Sequence, residues 1–176
     1  MIRKLLMSLC LALPMNALAQ DAIELQPPMT LELMAEIIST LDPDAQQRGL
    51  TFELVIQDVP VIVITDPRAD RMRAMVPIRS ADGLSPDELT RLMQANFDTA
   101  LDARYAIAQG RLWGVFIHPL SPLEPGQFVS GLAQTVNVAL TYGQSYSGGA
   151  SVFGGGDSSG IFEDLVEELK RQGQEL

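Results

Sequence analysis

Residues 85–124, which read SPDELTRLMQANFDTALDARYAIAQGRLWGVFIHPLSPLE, decide the fold. The stretch opens with Ser85-Pro86-Asp87-Glu88 and closes with Ser121-Pro122-Leu123-Glu124, and both quartets have a form that begins helices. In this form the Ser oxygen accepts a hydrogen bond from an amide of the first turn, Glu reaches back, and Pro takes the first helical position. Between the quartets, two short strand-like runs meet at Gln109-Gly110, where glycine supplies the positive φ of a tight turn. We therefore predict a helix, a β-hairpin and a second helix in succession.

Residues 30–78 add a helix and three strands ahead of that block. The helix has apolar residues at the spacing of one buried stripe, namely Leu31, Met34, Ile37, Ile38 and Leu41. From Leu50 to Ile56 apolar and polar residues alternate, which predicts a half-buried strand with Leu50 on its apolar face. The β-branched run Val61–Ile64 is typical of a strand that is covered on both faces or central in a sheet. After a turn at Asp66–Asp70 the alternation returns in Arg71–Ile78, so a three-stranded meander is expected.

The predicted order is α-β-β-β-α-β-β-α, which defines an α+β fold. We expect one mainly antiparallel five-stranded sheet with three helices on one face. The helix that starts at Pro86 and ends near Leu101 should bury one stripe, made of Leu89, Leu92, Met93, Phe97, Ala100 and Leu101. The last helix should end near Tyr142, because Gly143 is suited to a C-terminal stop.

The chain divides into four predicted segments. Residues 1–19 have a basic start, an apolar stretch and a small-residue site at Ala17-Leu18-Ala19, as in a cleaved secretory signal peptide. Residues 20–143 form the α+β domain, and residues 144–160 are a Gly/Ser-rich linker. Residues 161–176 carry a short amphipathic helix. We expect a periplasmic or secreted protein, cleaved near Ala19, with no integral membrane segment left after cleavage.

Charge and cysteine content exclude several classes of function. The chain has a net charge of −10, and without Arg3 and Lys4 of the signal this becomes −12. An acidic protein of this kind is a poor partner for nucleic acid or anionic lipid. The one cysteine, Cys10, leaves with the signal, so disulfides and thiol chemistry are not expected in the mature protein.

The sequence offers few groups for catalysis. His118 is the sole histidine, and Lys170 is the sole lysine outside the signal. One histidine without a fixed partner satisfies neither a catalytic triad nor a metal site. We therefore expect no enzyme activity, no catalytic residues, no metal site and no cofactor. Asp58, Asp66 and Asp70 are the nearest to an acidic cluster, and they keep a small-ligand or cation-binding protein open as an alternative.

One face of the predicted sheet is the best candidate for a partner. Val55, Met75 and Trp113 alternate with core residues, and an exposed apolar sheet face usually marks an interface. Arg73 belongs to a cluster of arginines around the third strand, which could attract a carboxylate-bearing partner. Two alternatives stay open: Trp113 is a core residue, and the arginines are solvated edge residues. Phe162 and Leu165 of the terminal helix complete the set of candidate partner-binding residues.

The segment from Asp87 to Gly143 resembles the YbjN family of bacterial proteins, which is grouped with the type III secretion chaperone-like fold. The resemblance lies in residues 89–97, the strand Arg104–Ala108, the turn at residues 109–112 and residues 117–120 leading into a helix. It implies a small acidic α+β domain, commonly a homodimer, without known catalytic residues. It also implies a surface that holds a segment of another protein. Two features depart from the pattern: the export signal, and the Gly/Ser tail with its terminal helix.

These observations lead to one hypothesis and one alternative. The hypothesis is a non-enzymatic, exported, protein-binding or chaperone-like module, dimeric, whose partner is a protein or peptide. It would bind that partner through the sheet face or the tethered terminal helix. The alternative is a periplasmic protein that binds a small ligand or a cation on an acidic surface.

Overall fold

The computed structural model describes residues 27–98, 101–143, 167–169 and 171. They form an α+β fold with one antiparallel sheet and three helices. In chain order the elements are α1 (Leu31–Leu41), β1 (Gln46–Arg48), β2 (Thr51–Ile56), β3 (Val59–Asp66), β4 (Arg71–Ser80), α2 (Pro86–Asp98), β5 (Arg104–Ala108), β6 (Arg111–Pro119) and α3 (Pro125–Leu140). The strands lie in the order β1-β2-β3-β4-β6-β5.

The helices cover one face of the sheet. Helix α3 contacts β3, β4, β5 and β6, α1 contacts β2, and α2 contacts β5. In the central strands alternate residues are buried beneath them, for example Phe52 in β2, Val63 in β3 and Met72 in β4. Leu92 and Ala95 of α2 belong to a second, smaller cluster around Tyr105 in β5. The predicted fold class is therefore confirmed.

The sheet has six strands where five were predicted. The additional strand β1 is short and polar, and it pairs Gln47 with Phe52 at the edge of the sheet. Its three exposed residues give no alternation of apolar and polar side chains, so the sequence offered no signal for it. Leu50, predicted on the buried face of β2, lies before that strand and is exposed.

The two Ser-Pro quartets behave differently. Ser85 caps α2 as predicted: its hydroxyl oxygen accepts from the amide of Glu88 at 3.2 Å, and the Glu88 carboxylate accepts from the Ser85 amide at 2.9 Å. The prediction for Ser121 was wrong, because α3 begins at Pro125 with Glu124 as its N-cap. There the Gln127 side chain accepts from the Glu124 amide at 3.1 Å. Both α2 and α3 nevertheless have Pro at their first position.

The prediction that α2 buries its whole apolar stripe was also wrong. Leu92 is buried, but Leu89 is exposed, and Met93 and Phe97 are exposed to 57% and 71%. Only the narrow side of the helix that includes Leu92 and Ala95 meets the core. Since β5 is the outermost strand on that side, no further strand within the described ranges lies beyond it to cover Leu89 and Met93.

The predicted signal peptide, the linker and most of the predicted terminal helix lie outside the described residues. Glu167–Leu169 and Arg171 are helical, and the Arg171 guanidinium donates to the Glu168 carboxylate. Leu169 is buried and belongs to the main core cluster of the domain, together with Met29 and the buried residues of α1. This residue of the tail therefore packs on the covered side of the sheet of its own chain. None of the helices that the structure describes is long and apolar enough to cross a membrane.

Candidate functional site

The face of the sheet opposite the helices carries a continuous set of side chains, none of which is buried. We call it the bare face. It consists of the residues that alternate with the core positions of β2, β3, β4, β6 and β5: Thr51, Glu53, Val55, Pro60, Ile62, Ile64, Asp66, Arg71, Arg73, Met75, Pro77, Arg111, Trp113, Val115, Ile117, Pro119, Arg104, Ala106 and Ala108. On the edge strand β1, Gln46 and Arg48 extend it.

The register places the apolar residues of this face side by side. One row runs across the sheet through Ile62, Met75 and Val115, which are direct neighbours on adjacent strands. The next row contains Ile64 and Ile117 on either side of β4. Val55, Ile64 and Ile117 are exposed to 52%, 40% and 54%. Monomeric proteins rarely expose a contiguous apolar patch of this kind unless it has a function.

Four of the six predicted partner-binding residues meet on the bare face. Val55, Arg73, Met75 and Trp113 come from three strands and share that one surface. The other two, Phe162 and Leu165, lie outside the described residues. The role of all six as contact residues stays a prediction.

Trp113 is half-buried on the bare face and is not part of the core. Its indole N–H donates to the carbonyl oxygen of Ala108 at 3.1 Å. The Arg111 guanidinium lies 6.0 Å from the ring centre, at the outer limit of a cation–π contact. The ring is therefore held from its edge while it keeps part of its surface in solvent.

Ile62 and Ile64 contribute to the centre of this face, although neither was predicted as a partner-binding residue. Their run of β-branched residues suggested a strand covered on both sides, and β3 is indeed central, but only Val61 and Val63 are buried. Polar residues in place of Ile62 and Ile64 would have given the alternation of a half-exposed strand. The apolar character of Ile62 and Ile64 therefore indicates a binding surface. It indicates this only when the structure shows that no helix covers their face of the sheet.

The bare face is richer in arginine than in carboxylate. Its arginines are Arg48, Arg71, Arg73, Arg104 and Arg111, and its acidic residues are Glu53 and Asp66. Arg48 is 3.9 Å from Glu53. The Asp66 carboxylate accepts from the backbone amides of Arg68 and Ala69 at 3.0 and 3.1 Å. The face is therefore positive in a chain whose total charge is −10.

The three aspartates of the cation-binding alternative do not converge. Asp58 lies at the β2–β3 turn and Asp66 at the opposite end of β3, which separates them by about 25 Å at the rise of an extended strand. Asp70 accepts from the amide and the hydroxyl of Ser121 at 2.7 and 2.9 Å. These hydrogen bonds lower the pKa of Asp70. Within residues 27–98, 101–143 and the short described part of the tail, no three metal-binding side chains come together.

A cavity of about 680 Å³ lies between the end of β6, the start of α3 and the segment before β5. Gln134 forms part of its wall, and its side-chain oxygen accepts from the amides of Asp102 and Ala103 at 2.6 and 3.1 Å. His118 also lines the cavity, and its Nδ1 lies 2.7 Å from the carbonyl oxygen of Pro119. The side-chain oxygen of Gln134 and the Nδ1 atom of His118 are therefore already engaged with the backbone of the domain.

No protein-family model matches the sequence, and no curated protein matches it. Among solved structures, the chain is similar to a chain in the crystal structure of the Yersinia pestis type III secretion chaperone SycH in complex with a stable fragment of YscM2. The TM-score is 0.45 at 16% identity, over 60% of this chain and 98% of that chain. A chain of the ExsC–ExsE complex is similar with a TM-score of 0.49 at 14% identity, over 67% of this chain and 98% of that chain. At these identities the likeness concerns the fold, and membership of the YbjN family stays a prediction.

Proposed function

We propose that this chain is a non-enzymatic, exported, chaperone-like module that binds a segment of another protein on the bare face. The observation that carries the proposal is the two adjacent rows of exposed or half-exposed apolar side chains on that face, including Ile64, Met75 and Ile117. The buried residues of both core clusters lie on the opposite face beneath the three helices, so the core of the domain does not account for them.

The size of the apolar surface favours a polypeptide over a small molecule. A side chain that is already half-buried gains about 1 kcal/mol when it is fully covered. Association costs on the order of 4 to 15 kcal/mol, so a ligand that covers two or three such residues gains too little. A segment that crosses several strands can cover the whole set from Val55 to Ile117.

This function is tested by comparing the proteins that bind to the wild type with those that bind to two variants. The mature protein, bound to a resin, should enrich at least one protein from a periplasmic extract of the source cells. The double substitution Ile64→Ser and Ile117→Ser should abolish that enrichment, because it removes apolar surface from the centre of the face. Leu50→Ser is the matched control, since Leu50 is similarly exposed but precedes β2 and lies off the bare face. Equal enrichment by all three proteins would contradict the proposal.

We also propose that the module is a homodimer. Leu89 and Met93 lie on successive turns of α2 and face away from the core, and Ile107 of the neighbouring edge strand is exposed as well. This surface, which we call the α2 edge, is separate from the bare face. A second copy of the chain could cover it about a two-fold axis, as most soluble homo-oligomers do.

Light scattering of the mature protein tests the dimer. We expect twice the mass of one chain, and we expect Leu89→Ser with Met93→Ser to give the mass of one chain without loss of the fold. Substitution of exposed residues leaves the core intact, so a circular dichroism spectrum should stay unchanged. A monomeric wild-type protein would rule out the dimer and leave the bare face unaffected.

Export is supported by the sequence of residues 1–19. Expression of the full chain in a Gram-negative host should place the protein in the periplasmic fraction. Mass spectrometry should find Gln20 as its first residue. Retention of the intact N-terminus in the cytosolic fraction would contradict this part of the proposal.

A further inference from the structure

Arg73 lies in the middle of the bare face. Its register neighbours are Ile64 on β3 and Ile117 on β6, and Met75 is the next residue of β4 on the same face. The side chain is exposed, so its charge lies beside these three apolar residues, and Arg71 is its neighbour on the other side along β4.

Among the residues that the structure describes, no carboxylate lies within ion-pair distance of the Arg73 guanidinium. The ion pairs found there join Arg48 to Glu53 and Arg171 to Glu168. Glu53 lies two strands away from Arg73 and one row along the sheet. Asp66, the other acidic residue of the face, is engaged by the backbone of its own turn.

We infer that the segment bound on the bare face is acidic as well as apolar, with a carboxylate that pairs with Arg73 and aliphatic side chains that cover Ile64, Met75 and Ile117. The inference rests on the proposed function and specifies its partner. A planar guanidinium matches a carboxylate with two parallel hydrogen bonds, and the apolar residues around Arg73 would remove water from that pair. The excess of arginine on this face also favours the approach of a negative segment, although the chain as a whole is acidic.

Trp113 makes the inference measurable, since it is the only tryptophan of the chain and lies on the bare face. The probes are three peptides of about 15 residues, long enough as helices to cross most of the sheet. The first has leucines at helical spacing with glutamates between them, the second has lysines in place of the glutamates, and the third has serines in place of the leucines. We expect the glutamate–leucine peptide to change the Trp113 fluorescence and to bind at least about tenfold more tightly than the other two, because a charge-assisted pair contributes about 1.5 kcal/mol or more.

Variants at residue 73 test the origin of this preference. Arg73→Gln should weaken binding of the glutamate–leucine peptide about tenfold, and Arg73→Glu should reverse the preference toward the lysine–leucine peptide. Arg68→Gln in the β3–β4 turn is the matched control, and it should bind like the wild type. Equal binding of the two leucine peptides, or the same affinity in the Arg73 variants, would overturn the inference and leave the binding face in place. Failure of both leucine peptides to bind would overturn the inference and the proposed function together.

Discussion

Gly131 and Phe116 show how close α3 approaches the sheet. A Cβ atom built on Gly131 would lie 2.6 Å from Cδ1 and 2.7 Å from Cζ of the Phe116 ring. Phe116 is buried in the main core cluster, so an added methyl group on Gly131 would have to displace the ring from its packed position. Gly114 of β6 makes the reciprocal approach, because a Cβ there would lie 2.6 Å from Cγ2 of Val138. The absence of side chains at these two positions sets the distance between α3 and β6.

Gly131→Ala should therefore destabilise the domain by about 1 to 3 kcal/mol, which is the usual cost of overpacking. Gly126→Ala is the control, since nothing lies within 4 Å of its added Cβ and α3 gains from the better helix former. Urea denaturation of both variants measures the difference. Equal unfolding midpoints for the two variants would show that the helix moves away from the sheet at no cost.

Asp70 connects the β3–β4 turn to the loop before α3. It has a φ of +51° and accepts both hydrogen bonds from Ser121, which hold its pKa below the ordinary value. A carboxylate with a lowered pKa in the folded state stabilises the fold above its unfolded pKa of about 4. That contribution is lost as the pH falls through the lowered folded value.

We expect Ser121→Ala to raise the pKa of Asp70 toward its ordinary value, because the hydroxyl donor is removed while the backbone donor stays. Carboxyl ¹³C chemical shifts followed from pH 7 to 2 measure it. The stability difference between wild type and Asp70→Asn should shrink as the solution is acidified over the same range. An unchanged titration of Asp70 in the Ser121 variant would assign the lowered pKa to another cause.

At the scale of elements, the tail depends on the domain. An isolated helix of about ten residues is unstable in water, so the helical state of Glu167–Leu169 requires a packing partner. The core of the domain is that partner, because the side chain of Leu169 is buried in the main core cluster.

Leu169→Ala should lower the free energy of unfolding by about 2 kcal/mol or more, the range of a leucine truncated in a core. It should also accelerate proteolysis within the tail. Glu167→Ala is the matched control, because Glu167 is exposed on the same turn. If both variants unfold at the same temperature, the tail does not contribute to the core in solution.

For the molecule as a whole, the two clusters of buried residues differ in size. The main cluster joins α1, β2, β3, β4, β6 and α3, whereas α2 contributes only Leu92 and Ala95 to the smaller one. An element with few buried contacts opens more easily than the rest of a domain.

We expect amides of α2 to exchange with deuterium faster than those of β3, β4 and α3. If the α2 edge forms a dimer, protection of α2 should increase with protein concentration, because association stabilises the bound state by mass action. The variant with Leu89→Ser and Met93→Ser should show no such dependence. Exchange of wild-type α2 that is independent of concentration would argue against the dimer at this edge.

The sequence by itself determined the elements whose signals are local. Ser85 caps α2, Gly110 has the positive φ of the hairpin turn, and the alternation in β2 and β4 separates covered from uncovered positions. Each of these depends on interactions between residues a few positions apart, which a sequence pattern contains.

Tertiary structure alone decided which apolar residues remain outside the core. Ile64 and Met93 are as apolar as their buried neighbours Val63 and Leu92. Ile64 is exposed because it lies on the face of the sheet opposite the three helices, and Met93 because α2 packs at the edge of the sheet. The strand β1 and the burial of Leu169 likewise arise from contacts between distant parts of the chain. A side chain's burial depends on what packs against it, and for these residues that partner is absent or far away in sequence.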